Sequence, residues 1–380
     1  MPKRLFTTAL LAASLVLPSA GVSSAVGAPI TTGAVFNDPK GTTAEQNAVK
    51  NHIITAIANT QSGRLIRASL YALTDQDYAD ALIQAHQRGV NIRLVLDVKY
   101  STSAAVQSLR AELGTDTSAS SWVHVCGAAG ACIATGDSNP INHNKFFTFS
   151  RIGDAGVAED VVIQTSANQT AVNVAKYWNN AYTVVGNTDL YTAYVGYFND
   201  LAAEKRTDDY LTSGKVGTEK YYFFPQKTGD VIVDVLNNVS CTGNTTVGTS
   251  THKSIVRVAA FALHRDAVAD ALVSLAGKGC SIQIVYANSN DEEILKGHTN
   301  ISLRKLNTGD GYLVHSKYLL VEGNYAGHPD TKWTFTGSHN LDDSSLHDND
   351  EALLRLEGTA PHDAYAQNFG LLNSYATDVS

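Results

Sequence analysis

The sequence predicts an α/β protein of two similar lobes, packed about a pseudo-twofold axis with a shared site at their interface. Three observations carry this. A strand–helix–strand pattern is written twice. A His-x-Lys motif occurs in each copy. A Ser-x-Asn triplet follows each motif at the same distance. His143-Asn144-Lys145 is followed by Ser166-Ala167-Asn168, and His315-Ser316-Lys317 by Ser338-His339-Asn340; each triplet ends 25 residues after its His. One His-x-Lys is a common surface pair. Two copies in matched register describe two versions of one chemical half-site.

The elements of the first copy run in order. Ile66–Leu73 is apolar and β-prone. Tyr78–Gln87 places Ala79, Leu82, Ile83 and His86 at helical spacing, with Gly89 as the stop, and Val90–Leu96 is a second strand. The second copy repeats this 190 residues later as Ile255–Leu263, Ala267–Ala276, Gly279 and Ser281–Tyr286. Further strands are expected at His143–Phe149, Asp160–Thr165 and Ala181–Val185, and at His315–Val321, Lys332–Thr336 and Ala352–Leu356. A closing helix follows near Leu190–Lys205 and near Asp363–Ala376. Strands alternating with helices imply a layered α/β lobe. The His motifs are only 172 apart, so the first copy holds 18 extra residues between Gly89 and His143. Four segments result: a signal peptide at 1–28, a first lobe at 29–206, a polar, Gly-containing linker at Thr207–Glu219, and a second lobe at 220–380.

The start of the chain reads as a secretory signal. Lys3 and Arg4 precede an apolar stretch from Leu5 to Leu17, and small residues offer cleavage after Ala25 or Ala28. The stretch is short for a membrane anchor, the alternative reading. An exported chain favours paired cysteines. Cys126 and Cys132 flank a small flexible loop that a disulfide can close, which leaves Cys241 to pair with Cys280. Free thiols are the alternative, and zinc is a weaker one, because no CxxC pair is present. At 44% hydrophobic and 17% charged, the chain is globular rather than disordered. The net charge of −8 becomes about −10 without Lys3 and Arg4, which argues against tight nonspecific binding to nucleic acid.

Strand parity places the candidate site residues. Alternate side chains share a face, so His143 and Lys145 point together, as do His315 and Lys317. Ser166 and Asn168 share a face at the end of the next strand. The apolar neighbours Phe146, Phe147, Phe149, Tyr318, Leu319 and Leu320 predict that both motif strands are buried. A buried His and Lys are costly unless they have a task or a partner. Two His, two Lys and two Asn suit a phosphodiester: Lys and Asn hold the anionic oxygens, one His attacks, and the other protonates the leaving group. Tyr221-Tyr222-Phe223-Phe224 is expected to be a buried entry strand, with a lipid-dipping surface as the alternative.

This pattern resembles the phospholipase D superfamily, with its His-x-Lys-x4-Asp and Gly-Ser-x-Asn motifs in two lobes. The resemblance spans roughly residues 35–378. Gly337-Ser338-His339-Asn340 matches in full; Thr165 replaces Gly in the first copy, and Ser150 and Glu322 stand at the two Asp positions. Those two lie at an odd offset from the His, so they should face away from the phosphate. The resemblance implies a phosphohistidine mechanism that needs no cofactor or metal, with His143, Lys145, Asn168, His315, Lys317 and Asn340 catalytic. Ser166, Ser338, Asn179, Asp350 and Glu351 are the supporting candidates. The family also orients a catalytic His by an acidic residue on the following strand. Asp350 or Glu351 is expected to serve His315, leaving the amides Asn179 and Asn180 beside His143. That asymmetry, with the resemblance to secreted actinomycete enzymes, assigns attack to His143 and acid–base work to His315. The implied protein is a secreted, monomeric phosphodiesterase acting on phospholipid at a membrane surface, by hydrolysis or transphosphatidylation. A secreted nuclease is the first alternative, and an inactive phosphate- or membrane-binding protein the second.

Overall fold

The computed structural model describes residues 29–127, 130–136, 139–153 and 156–379. The segment expected to be a signal peptide, residues 1–28, lies outside them. Among the described residues no helix is long and apolar enough to cross a membrane.

Two mixed sheets form, one per lobe. The first has seven strands in the order Gly33–Phe36, Asn180–Val184, Ala158–Thr165, Lys145–Ile152, Leu65–Leu70, Asn91–Leu96 and Trp122–Val125. The second has ten. Its central run repeats that order as Ala352–Glu357, His328–Gly337, Tyr318–Tyr325, Ile255–Leu263, Ser281–Ser289 and Ile301–Lys305. Leu65–Leu70 pairs parallel with Asn91–Leu96 and antiparallel with Lys145–Ile152; Ile255–Leu263 does the same with Ser281–Ser289 and Tyr318–Tyr325. The parallel pairs are joined by the helices Gln76–Gln87 and Asp266–Gly277. Both helices stop where predicted. Gly89 at φ +90° and Gly279 at φ +92° take the left-handed backbone that lets the chain turn straight into a strand.

Three apolar clusters divide the interior. One lies on the outer face of each sheet, beneath that lobe's crossover helix. The third joins the lobes: Phe146, Trp178 and Tyr194 of the first pack with Phe223, Tyr318 and Phe369 of the second. The closing helices Thr188–Ala202 and Thr359–Tyr375 contribute to this shared core. The lobes are therefore fused through apolar packing. Tyr222, Phe223 and Phe224 are buried, so the aromatic run is an entry strand, Glu219–Phe223, as expected.

Two elements differ from the sequence reading. Within the linker, Thr212–Val216 is a strand that pairs with Glu219–Phe223, because a short turn there lets it extend the second sheet. The motif strands begin after their histidines, at Lys145 and Tyr318. The reason is that the backbone at each His bonds to the opposite lobe. His143 N donates to Asp350 O at 3.0 Å, and His315 N donates to Trp178 O at 2.9 Å. Asn142 bridges Asp350 in parallel, and Val314 pairs with Trp178 in the same sense. Each of these residues lies 172 positions from its counterpart, which is the pseudo-twofold relation between the lobes.

Both expected disulfides form, Cys126–Cys132 and Cys241–Cys280. Among the described residues the one cluster with metal-ligand geometry is Cys126, Cys132 and Asp350, and its two sulfurs are bonded to each other.

Candidate active site

The exchange of backbone bonds brings both histidines to one cleft. It has a volume of about 450 Å³ and is lined by His143, His315 and Asn168 together with Tyr71, Tyr100, Tyr177 and Phe261. His143 and His315 are buried, with only an edge of each reaching the cleft.

Each imidazole is oriented by a residue of the other lobe. His143 Nδ1 lies 2.6 Å from Glu351 Oε1. His315 Nδ1 lies 2.8 Å from Asn179 Oδ1. Asn179 Nδ2 donates to the Asn173 and Tyr177 carbonyls, which fixes Oδ1 as the acceptor facing His315. A carboxylate and an amide oxygen both accept, so each Nδ1 carries its hydrogen and each Nε2 is the free nitrogen. The orienters are anchored in matching ways. Ser166 Oγ donates to Asn179 Oδ1 at 3.0 Å, and Ser338 Oγ donates to Glu351 Oε2. This gives the two Ser of the Ser-x-Asn motifs a structural task.

This arrangement corrects the expected pairing. Glu351 serves His143, not His315. Asn179 serves His315, not His143. Asp350 orients neither: its carboxylate accepts from Cys132 N at 2.7 Å and Ala134 N at 2.7 Å, with Ile133 N at 3.2 Å. Asn180 donates to Thr336 Oγ1 and Tyr365 Oη across the lobe interface and takes no part in the cleft. The physical reason is the crossing of the chains. The strand after each Ser-x-Asn hands its first polar side chain to the neighbouring lobe, a relation that spacing within one copy does not encode.

Lys145 and Lys317 are buried, and each Nζ donates to its own His carbonyl, at 2.7 Å and 2.6 Å. Burial pushes Lys145 down to about 7, against the pull of Glu351 and Asp97. Burial and the nearby Lys145 push Lys317 well below its ordinary value. Burial also lowers His143, opposed by Glu351, and lowers His315 strongly, reinforced by Lys317, Lys145 and His143. Burial alone would raise the Glu351 carboxyl, but His143, Lys145 and His339 hold it down at about 2. Glu351, with Asp97 acting on Lys145 from the first lobe, thus faces two lysines and two histidines. The balance favours an anion in the cleft, which would restore charge to the lysines. Asn168 and Asn340 each keep a buried Oδ1 without a partner, so their amides are not committed to the fold.

The departures at the family Asp positions point away from the cleft, as parity requires. Ser150 Oγ accepts from Leu65 N at 3.0 Å. Glu322 pairs with Arg257 at 3.0 Å. Thr165, in place of Gly, donates to Asn180 O at 2.7 Å. A side chain at Gly337 would meet Ala352 O at 2.1 Å, so the second copy needs its Gly. The sequence reading missed the aromatic lining. Its signal was the aligned pair Tyr71 and Phe261, 190 residues apart at the ends of equivalent strands.

The chain's sequence matches the family described as cardiolipin synthase, phospholipase D-like domain, twice, over residues 53–202 and 249–372. No curated protein matches it. Its fold is similar to that of phosphatidylserine synthase from Haemophilus influenzae, with a TM-score of 0.61 at 14% identity over 91% of this chain and 87% of that one. It is also similar to polyphosphate kinase from Porphyromonas gingivalis, with a TM-score of 0.56 at 13% identity over 90% of this chain. The chain spans about half of the kinase, 46% of its length. With one family match in each lobe and the site between them, the chain belongs to the cardiolipin synthase, phospholipase D-like domain family, within the phospholipase D superfamily.

Proposed function

We propose that the protein is a secreted phospholipase D-type phosphodiesterase that cleaves phospholipid through a phosphohistidine on His143. The observation that carries this is the pair of imidazoles, each with Nδ1 held by the opposite lobe, lining one cleft beside two buried lysines. His143 Nε2 attacks phosphorus. As the N–P bond forms, the P–O bond to the leaving alcohol breaks, and that oxygen takes the proton from His315 Nε2. In the second step His315 takes a proton from water or a second alcohol, whose oxygen attacks phosphorus and releases His143. Lys145, Lys317, Asn168 and Asn340 receive the charge that builds on the phosphoryl oxygens.

The crossed pairing removes the first reason for choosing His143 as nucleophile and supplies a better one. A phosphorylated imidazole with hydrogen on Nδ1 is cationic, and Glu351 offsets that charge where Asn179 would not. His315 is poorly basic, so once protonated beside a bound phosphate it is a strong acid toward the leaving alkoxide. Water as acceptor gives hydrolysis and an alcohol gives transphosphatidylation; a family described as a synthase supports the second route alongside the first.

The test is to incubate the purified protein with mixed phosphatidylcholine–phosphatidylserine vesicles and, separately, plasmid DNA, each with and without EDTA. Release of headgroup that EDTA does not prevent is the expected result. DNA cleavage without lipid turnover would replace the reading with a nuclease, and activity on neither would favour a binding protein. Rapid quench and peptide mapping should find the phosphoryl group on the peptide containing His143. An adduct at His315 reverses the two roles.

A further inference from the structure

The two half-sites differ at one aromatic ring. Tyr71 and Phe261 hold the same place in their lobes and pack on equivalent groups. The Tyr71 ring lies 5.1 Å from the His143 ring and 5.4 Å from Lys145 Nζ. The Phe261 ring lies 4.9 Å from the His315 ring and 5.0 Å from Lys317 Nζ. Tyr71 has a hydroxyl where Phe261 has none, and that hydroxyl accepts from Lys99 Nζ at 3.0 Å. The ammonium also lies over the rings of Tyr71 and Tyr100, at 5.7 Å and 5.8 Å. Lys99 is exposed, and the corresponding position of the second lobe is Ser289. The first lobe therefore carries a cation on two rings that line the cleft, where the equivalent position of the second lobe has none.

Nothing acidic in the cleft lining answers that charge. The lining residues include no Asp or Glu. Asp97, close in sequence, is buried and committed to the backbone N–H groups of Lys99 and Asn142. A substrate arm ending in an ammonium finds the faces of Tyr71 and Tyr100 already shared with Lys99, and no carboxylate to pair with. An arm bearing a carboxylate or phosphate finds an ammonium one ring's breadth from the reacting centre.

We propose that Lys99, held on Tyr71 and Tyr100, is a specificity residue that selects phospholipids with an acidic group in the headgroup. This rests on the phospholipid reading above and narrows it. An exposed ion pair is worth up to about fivefold, and ionic strength reduces it.

Phosphatidylserine and phosphatidylethanolamine differ by one carboxylate. Their dihexanoyl forms, used below the micelle threshold, remove surface charge as a variable. The wild-type protein should favour the serine lipid by about fivefold in kcat/KM. Lys99→Gln should bring the ratio to about one by lowering the serine value alone, and Lys99→Arg should keep the preference. An unchanged ratio in Lys99→Gln, an equal fall on both lipids, or a wild-type preference for ethanolamine would each overturn the proposal. Bis(p-nitrophenyl) phosphate serves as the control. Its cleavage without turnover of either lipid would overturn the phospholipid reading itself and this inference with it.

Discussion

Glu351→Gln tests the crossed site most directly. The substitution keeps the shape of a fully buried side chain and removes its charge. In the native site one Glu351 oxygen receives His143 Nδ1–H and the other receives Ser338 Oγ–H. A Gln has one acceptor, so its amide nitrogen must face either His143 or Ser338. Facing His143, it would force the hydrogen onto Nε2 and block the attacking nitrogen. Even with the favourable orientation, the cation formed at His143 loses its counter-charge. Two unit charges about 4 Å apart at an effective dielectric constant of about 20 interact by about 4 kcal/mol, which corresponds to roughly a thousandfold in rate. The expected result is a kcat lower by roughly 10²- to 10⁴-fold on a soluble diester, with KM changed little and the circular dichroism spectrum intact. The stability effect has a defined sign. Glu351 is held down at about 2, below its usual 4.5, so its contribution is complete above the higher value and is lost as pH falls toward the lower. The variant should be less stable than wild type at pH 7, and the gap should narrow below pH 4. A folded Glu351→Gln protein that keeps more than a tenth of wild-type kcat would refute the role assigned to the carboxylate.

Other substitutions separate site from scaffold. His143→Ala and His315→Ala should each abolish turnover in activity assays, whereas Ser150→Ala should cost about 1 kcal/mol in urea unfolding and leave kcat near wild type. Removing both Cys126 and Cys132 with Ser should lower stability by about 2 kcal/mol and lower kcat too, because the disulfide anchors Cys132, whose N–H and those of the next two residues hold Asp350, the residue before Glu351. The pH profile of kcat/KM should be displaced to acid. Burial lowers both histidines, so the nucleophile stays neutral below its ordinary pKa, while loss of the His315 proton sets the alkaline limb and loss of the Lys145 proton at about 7 depresses activity further. A profile centred well above pH 8 would contradict this.

The sequence carried the repeat, the strands and the two His-x-Lys motifs, because each is a property of one lobe. Apolar periodicity placed strands at Ile66–Leu73, observed as Leu65–Leu70, and at Ile255–Leu263, observed with those bounds, and parity sent Ser150 and Glu322 away from the cleft, as the structure has them. It did not carry who orients whom. Asn179 and Glu351 are equivalent residues 172 apart, and each lies just beyond its own lobe's Ser-x-Asn. Nothing in that spacing says that the chain there pairs with the far lobe, through Trp178 with Val314 and Asp350 with Asn142. The carboxylate therefore stands beside His143 and the amide beside His315, the reverse of what spacing within one copy predicts.

That crossing also explains why the half-sites need each other. A single lobe would hold a buried His without an Nδ1 partner, and the second lobe a Glu351 without its first-lobe cations His143 and Lys145, both costly in an apolar interior. Joining the lobes satisfies both groups and brings the two imidazoles to one cleft. Fold stability and catalytic geometry therefore depend on the same contacts. The asymmetry that the proposed mechanism requires, one His to carry phosphorus and one to carry a proton, would rest on the change between equivalent positions, Glu351 against Asn179. Asn179→Asp would erase that difference. By adding a second carboxylate it should raise the His315 pKa, move the alkaline limb of the rate profile upward and weaken His315 as an acid, without touching the substrate.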